Sequence, residues 1–251
     1  MLDLFVKNSR ARYRLERRRI LGAMAAHPKV WYLERFRLLD VLTPPQKRMV
    51  EEMTRMVEVK SGQRIYMPGD PSDHVFLLKV GLVKISTIRT DEQEIIIALL
   101  YPGDIFGELA ILEGTPRDDI ATAHGDVLLC ELNRDLLLRM AQQNPALGYE
   151  ITKIVGRRAH RFRTRIEDLL YKTAHARIAH TLLNLASDYG VPDDQGVLVP
   201  VRLNQADLGN LVGVARETVN VVLQDFKQRG LVEAGRRSIR IIDPDRLRAV
   251  A

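Results

Sequence analysis

The stretch GELAILEGTPRDDIATA, Gly107 to Ala123, sets Gly107, Glu108 and Arg117 in turn-rich sequence, the residue types of a phosphate pocket. An arginine pairs with an anion through its planar fork of donors. The two residues that follow, Asp118 and Asp119, carry the opposite charge. A carboxylate about 4 Å from a phosphate costs roughly 4 kcal/mol at an effective dielectric near 20, about what the arginine contributes. At about 1.4 kcal/mol per factor of ten, that is around three orders of magnitude in affinity. The two charges nearly cancel.

A second set of chemically able residues lies in RETVNVVLQDFKQR. At about 100° per residue, Val219, Val222, Leu223 and Phe226 gather on one side of a helix, and Arg216, Glu217, Asn220, Val221 and Gln224 on the other. The outward set holds donors and acceptors able to read base edges in a major groove: Arg to guanine, Glu to cytosine, Asn or Gln to adenine. Upstream, Asn204 and Asp207 read as a capping box that opens the short helix QADLGNLV, with Asp in place of the usual Glu or Gln, and Gly213 stops it. Two short helices around a glycine-containing turn have the layout of a DNA-binding helix-turn-helix. LVEAGRRSIRII then reads as a hairpin with Arg236 and Arg237 at its tip, a wing that contacts backbone phosphates and positions the module. The candidate DNA-binding set is Asn204, Arg216, Glu217, Asn220, Val221, Gln224, Arg236 and Arg237.

These residues need a frame. From Val57 to Leu132, short Val-, Ile- and Leu-rich segments alternate with SGQ, PGDPSD, VG, TDEQ, YPGD and AHGD. Turn signals at roughly 8–12 residue spacing predict a sandwich or jelly roll. HVFLLKVGLVK reads as two strands hinged at Gly81, and Asn133 caps a short helix from Arg134 to Gln142 that Asn144-Pro145 closes. Ile151, Val155, Ala159, Phe162, Ile166 and Leu169 then recur at spacings of four, four, three, four and three, one apolar stripe on a very basic helix. So narrow a stripe suits packing against a twin helix in a homodimer; the alternative is that it covers its own domain. After Thr173, ARIAHTLLNLASDYG reads as a helix ending at Gly190, and the polar loop VPDDQG leads into a small strand, VLVPV. The expected domains are a basic extension over 1–30, a sensor domain over 31–145, a dimerisation helix over 146–172 and a winged helix-turn-helix over 173–251. Within the extension, RARYRLERRRI is a helix-forming stretch that is either solvated or contacts DNA backbone or a partner subunit.

Charge divides along the same lines: residues 1–30 carry +6, residues 31–150 carry −6 and residues 151–251 carry +6. An acidic middle between basic ends suits a polyanion at the C-terminal part. No apolar run approaches the roughly 20 residues that span a bilayer, and a cytoplasmic protein without a membrane partner is expected. The single cysteine, Cys130, lies in the apolar run VLLCEL and reads as core; one cysteine excludes a four-cysteine iron–sulfur cluster and any CxxC zinc site. No metal site is expected. No catalytic triad, nucleophile elbow, Walker loop or HExxH motif is present, so an enzyme is not expected.

The ordered motifs resemble the catabolite-activator and fumarate–nitrate-regulator (CRP/FNR) family of bacterial transcription factors over about residues 31–245. They are PGD at 68–70, YPGDIFGELAILEG at 101–114, RIAHTLLNLA at 177–186 and LGNLVGVARETVNVVLQDFKQRGLV at 208–232. The resemblance implies an α+β fold: an N-terminal β jelly roll like a cyclic-nucleotide-binding domain, a long dimerisation helix and a C-terminal winged helix-turn-helix. It implies a homodimer on a two-fold double-stranded DNA operator, with RNA polymerase as a further partner. Arg216 and Glu217 match the family's operator-reading Arg-Glu pair. A second arginine five residues after the first is frequent in the activator branch; here it is Val221, which can touch a thymine methyl but cannot donate to guanine, so an altered operator is expected.

In the cyclic-nucleotide-binding members, the positions of Gly107, Glu108 and Arg117 hold the cyclic phosphate and ribose. Asp118 and Asp119 replace a Ser or Thr and a small residue, and Phe162 and Arg163 fall where a threonine and a serine hold adenine. The effector is unknown and the resemblance offers three sensors. In the first, cyclic AMP is not used, and an aspartate pairs with Arg117 or with a helix arginine such as Arg161, Arg163 or Arg165. In the second, another effector binds, such as a cyclic dinucleotide or a cationic metabolite. In the third, the aspartates turn outward and a cyclic mononucleotide still binds. Haem is not expected, because His74 and His124 are isolated.

Overall fold

The computed structural model describes residues 36–88, 94–199, 203–235 and 238–251; the basic segment 1–30 and the wing-tip pair Arg236 and Arg237 lie outside them. The described residues fall into two compact units. One holds those up to Ile85 together with Leu99–Lys153, the other Ser86–Ala98 with Ile154–Ala251.

In the first unit, α1 (Arg37–Asp40) precedes α2 (Pro44–Met53), which starts on a proline under a Thr43–Gln46 capping box. The short apolar segments become β1 (Arg55–Val59), β2 (Arg64–Tyr66), β3 (His74–Val80), β4 (Val83–Ile88), β5 (Glu94–Leu100), β6 (Ile105–Phe106), β7 (Ile120–Ala123) and β8 (Val127–Asn133). They form two four-stranded sheets, ordered β1-β8-β3-β6 and β2-β7-β4-β5, the interleaved order of the expected jelly roll. Val75 to Leu78 and Val127 to Cys130 are buried in unbroken runs, as in strands covered on both faces. Cys130 is a core residue. The outer part of the β4–β5 hairpin, Ser86 to Ala98, groups with the second unit. Between β6 and β7 lies α3 (Glu108–Glu113), and α4 (Arg134–Gln143) follows β8, with the Asn133 side chain accepting from Asp135 N at 2.9 Å.

The long helix α5 (Pro145–Tyr171) begins with a proline, whose missing N–H costs nothing at a helix start. Its apolar stripe divides. Ile151 is 5% exposed and belongs to the sensor core, Val155 is half-buried and Ala159 is exposed. Phe162, Ile166 and Leu169 stand at 49%, 48% and 43% exposed in the single chain.

In the second unit, α6 (Ala174–Tyr189) is capped by Thr173, whose hydroxyl accepts from Ala176 N at 3.2 Å. It is followed by β9 (Val191–Asp193), β10 (Gly196–Val199), α7 (Gln205–Val212), α8 (Arg216–Gln228), β11 (Val232–Ala234), β12 (Ile239–Ile241) and α9 (Pro244–Arg248). The strands form one sheet, β11-β12-β10-β9. β9 corrects the reading of VPDDQG as a loop. Its exposed residues show no apolar pattern, but Asp193 accepts from Gln195 N at 3.0 Å and folds the turn onto β10. Arg240 then bonds Asp193 at 2.9 Å and Glu233 at 2.7 Å, tying the outer strands through β12. Among the described residues no helix is long and apolar enough to cross a membrane.

Candidate functional site

Two short helices and their turn carry the first constellation. Asn204 caps α7, its Oδ1 accepting from Asp207 N at 2.8 Å. Gly213 ends α7 in the left-handed region at φ +69°, where a Cβ would also meet Leu169 Cδ2 at 2.8 Å. On α8 the helical period sorts the residues as expected: Val219, Val222, Leu223 and Phe226 are buried, and Arg216, Glu217, Asn220, Val221 and Gln224 are exposed. Val221 stands 63% exposed, an aliphatic group held in water on the face that carries the donors. Gln205, which the sequence reading passed over, donates from Nε2 to Asn220 Oδ1 at 3.1 Å. Its sequence signal is its place directly after the Asn204 cap.

Behind α7, Arg165 of α5 is half-buried and bonds carbonyls among the described residues. Nη1 donates to Ile96 O at 2.5 Å and Ile97 O at 3.2 Å, and Nη2 to Asn210 O at 3.2 Å. Burial pushes its pKa down. Asn210 lies in the last turn of α7, where carbonyls lack helical partners, so Arg165 serves as a side-chain cap to that helix. At the junction of α5 and α6, Asp168 accepts from His180 and pairs with Lys172 at 3.1 Å.

The second constellation is the cradle around α3. Gly107 sits at φ +77° directly before the buried Glu108, and a Cβ there would stand 2.7 Å from Arg117 Nη1. Arg117 is 4% exposed. Its Nη1 donates to Gly107 O at 2.5 Å and its Nη2 to His74 O, while the guanidinium lies 4.5 Å over the Tyr66 ring and 5.7 Å from that of Phe76. Burial lowers its pKa. The arginine thus faces inward and bonds its own chain.

The two aspartates differ. Asp118 is exposed, whereas Asp119 turns inward to accept from the Tyr66 hydroxyl. The β2–β7 pairing explains why: Tyr66 lies opposite Ala121, and Asp119 is two residues before Ala121, on the same face. Burial and the adjacent Asp119 carboxylate both push the Tyr66 pKa up. Of Arg161, Arg163 and Arg165, the α5 arginines expected to pair with an aspartate of the cradle, the last two have other partners. Arg163 meets Glu167 at 3.7 Å and His160 at 3.1 Å, and Arg165 its three carbonyls. Phe162 is exposed on α5.

Burial holds the Asp119 carboxyl above the ordinary carboxylate range, so its ionised form lowers folding stability. Asp119→Asn is therefore expected to be more stable than the wild type at neutral pH. The gap should shrink as pH falls through the folded pKa and vanish below the unfolded value, about 4. Urea titrations across that range check it; a gap that ignores pH would assign the effect to something other than charge.

Residues 56–144 match the family described as Cyclic nucleotide-binding domain, and residues 176–250 match the Crp-like helix-turn-helix domain. The CRP-like cAMP-activated global transcriptional regulator of Mycobacterium tuberculosis is 29% identical over 215 residues, which cover 86% of this chain and 96% of that protein. This chain belongs to the CRP/FNR family. The global nitrogen regulator of Synechococcus elongatus, another relative, is 28% identical over 189 residues, 74% of this chain and 85% of its own. The structure of FixK2 from Bradyrhizobium japonicum shares the fold, with a TM-score of 0.72 at 21% identity, over 78% of this chain and 96% of that one. CRP/FNR proteins are transcription regulators rather than enzymes. In this member α7 and α8 are the DNA-binding helix-turn-helix, and the jelly roll is the cyclic-nucleotide-binding-like domain.

Proposed function

We propose that this CRP/FNR regulator acts as a homodimer on a two-fold operator, engages RNA polymerase there, and does not take cyclic AMP as its effector. The observation that carries the operator reading is the division of α8, five exposed groove-facing residues backed by four buried apolar ones. The half-exposed Phe162, Ile166 and Leu169 support self-association through α5. For the sensor, Arg117 supports the reading, because a cyclic phosphate would have to draw its guanidinium away from the Gly107 and His74 carbonyls. Asp119 beside it adds like charge to the incoming anion. A second reading is favoured by the cAMP-activated relative and by Gly107, Glu108 and Arg117, which match the phosphate-holding positions that the family resemblance implies: a cyclic mononucleotide or dinucleotide enters and re-aims Arg117.

Fluorescence anisotropy on operator duplex, with and without cyclic AMP, cyclic GMP and a cyclic dinucleotide, separates the two. Operator binding that needs no nucleotide and falls steeply with salt is expected. Micromolar binding of cyclic AMP to the wild type, seen by calorimetry, would sink the first reading. In the same assay Arg216→Ala is expected to cost about 1–3 kcal/mol of discrimination per half-site at one base pair, with the salt slope unchanged. A uniform loss across sequences would instead make Arg216 a phosphate contact.

A further inference from the structure

We infer that Gln205 sets which base Asn220 reads, a specificity role that rests on the operator-binding reading of α8. The Asn204 cap fixes Gln205 as the first residue of α7. From there its Nε2 donates to Asn220 Oδ1 at 3.1 Å, across 15 positions of sequence, and Asn220 stays exposed beside Val221 on the groove face. An asparagine that reads adenine uses both ends of its amide, Oδ1 accepting from the N6 amino group and Nδ2 donating to N7. Gln205 engages the Oδ1 end. The amide is thereby turned so that Nδ2 is the end presented to the groove.

A donor presented alone matches a base edge made of acceptors. Guanine offers two, N7 and O6, while adenine places a donor beside its N7. The joined amides also carry an acceptor, Gln205 Oε1, which complements the N4 amino group of cytosine in the same or the neighbouring pair. Residue type alone points Asn220 at adenine; the Gln205 bond points it at guanine.

The test selects binding sites for the full-length protein from a duplex library randomised over the half-site, then measures anisotropy on single-base variants. The position Asn220 reads is the one whose preference Asn220→Ala abolishes. Wild type is expected to favour guanine there. Gln205→Leu, which keeps the side-chain size without the amide, should shift the preference toward adenine by at least about fivefold, leaving the Arg216 position and the salt slope as they were. Gln205→Glu provides an independent variant. A carboxylate can only accept, so it should draw Nδ2 inward, present Oδ1 and favour adenine or cytosine. A wild-type preference for adenine or cytosine at that position, unchanged preference in both variants, or an equal loss of affinity for every sequence overturns the inference. A wild type that enriches no sequence at all overturns the operator reading itself, and so is a distinct result.

Discussion

Ile166→Asp is expected to leave the regulator monomeric and to lower operator affinity by about 10²–10⁴-fold, the usual gain from joining two binding events. Ile166 lies on the exposed run of α5 between Phe162 and Leu169, and it is half-exposed in the single chain. In the proposed apolar contact between twin helices a carboxylate would have no partner, and an unpaired buried charge costs several kcal/mol on each side. Two half-sites would then be read by two independent chains, each paying its own association cost. Light scattering reads the first effect and anisotropy the second. A variant that stays dimeric and binds operator normally would move the dimer contact off this stripe.

Phe226→Ala should act on the helix-turn-helix itself, within the same unit as Ile166. Phe226 is fully buried at the C-terminal end of α8, edge-on to the His175 ring of α6 at 5.9 Å. Removing a buried phenyl ring typically costs about 3–5 kcal/mol, a large share of the stability of a small domain. Only α8 and its supports depend on it, so calorimetry should show the C-terminal transition falling while that of the jelly roll holds. Operator binding should fail with the first transition. Loss of both transitions together would mean that the two units unfold as one.

The helix-turn-helix was legible in sequence because its information is local. The period of α8 separates Val219, Val222, Leu223 and Phe226 from Arg216, Glu217, Asn220, Val221 and Gln224, and Thr173, Asn133 and Asn204 mark helix starts within three residues of the amides they cap. The sensor was legible as a jelly roll but not in the aim of its side chains. Arg117 turns inward because it bonds the His74 carbonyl, 43 residues away. Asp119 separates from Asp118 because strand pairing sets Tyr66 against Ala121, and period two carries that face back to Asp119. β9 was missed for the same reason, since its stability comes from β10 and from Arg240 rather than from its own residues. The one signal of Gln205, its place after the Asn204 cap, does not reveal its role, because a glutamine at a helix start is ordinary until its partner is known.

Arg165 has a consequence beyond capping α7. β5 is one of the two edge strands of its sheet among the described residues. An open strand edge is a template on which a stray chain can add itself, the first step toward aggregation. The Arg165 guanidinium takes the Ile96 and Ile97 carbonyls and places a charge against the apolar run IIIALL of β5. One side chain therefore seats the DNA-binding helix and guards the sheet edge. A variant lacking it should betray itself first by poor solubility.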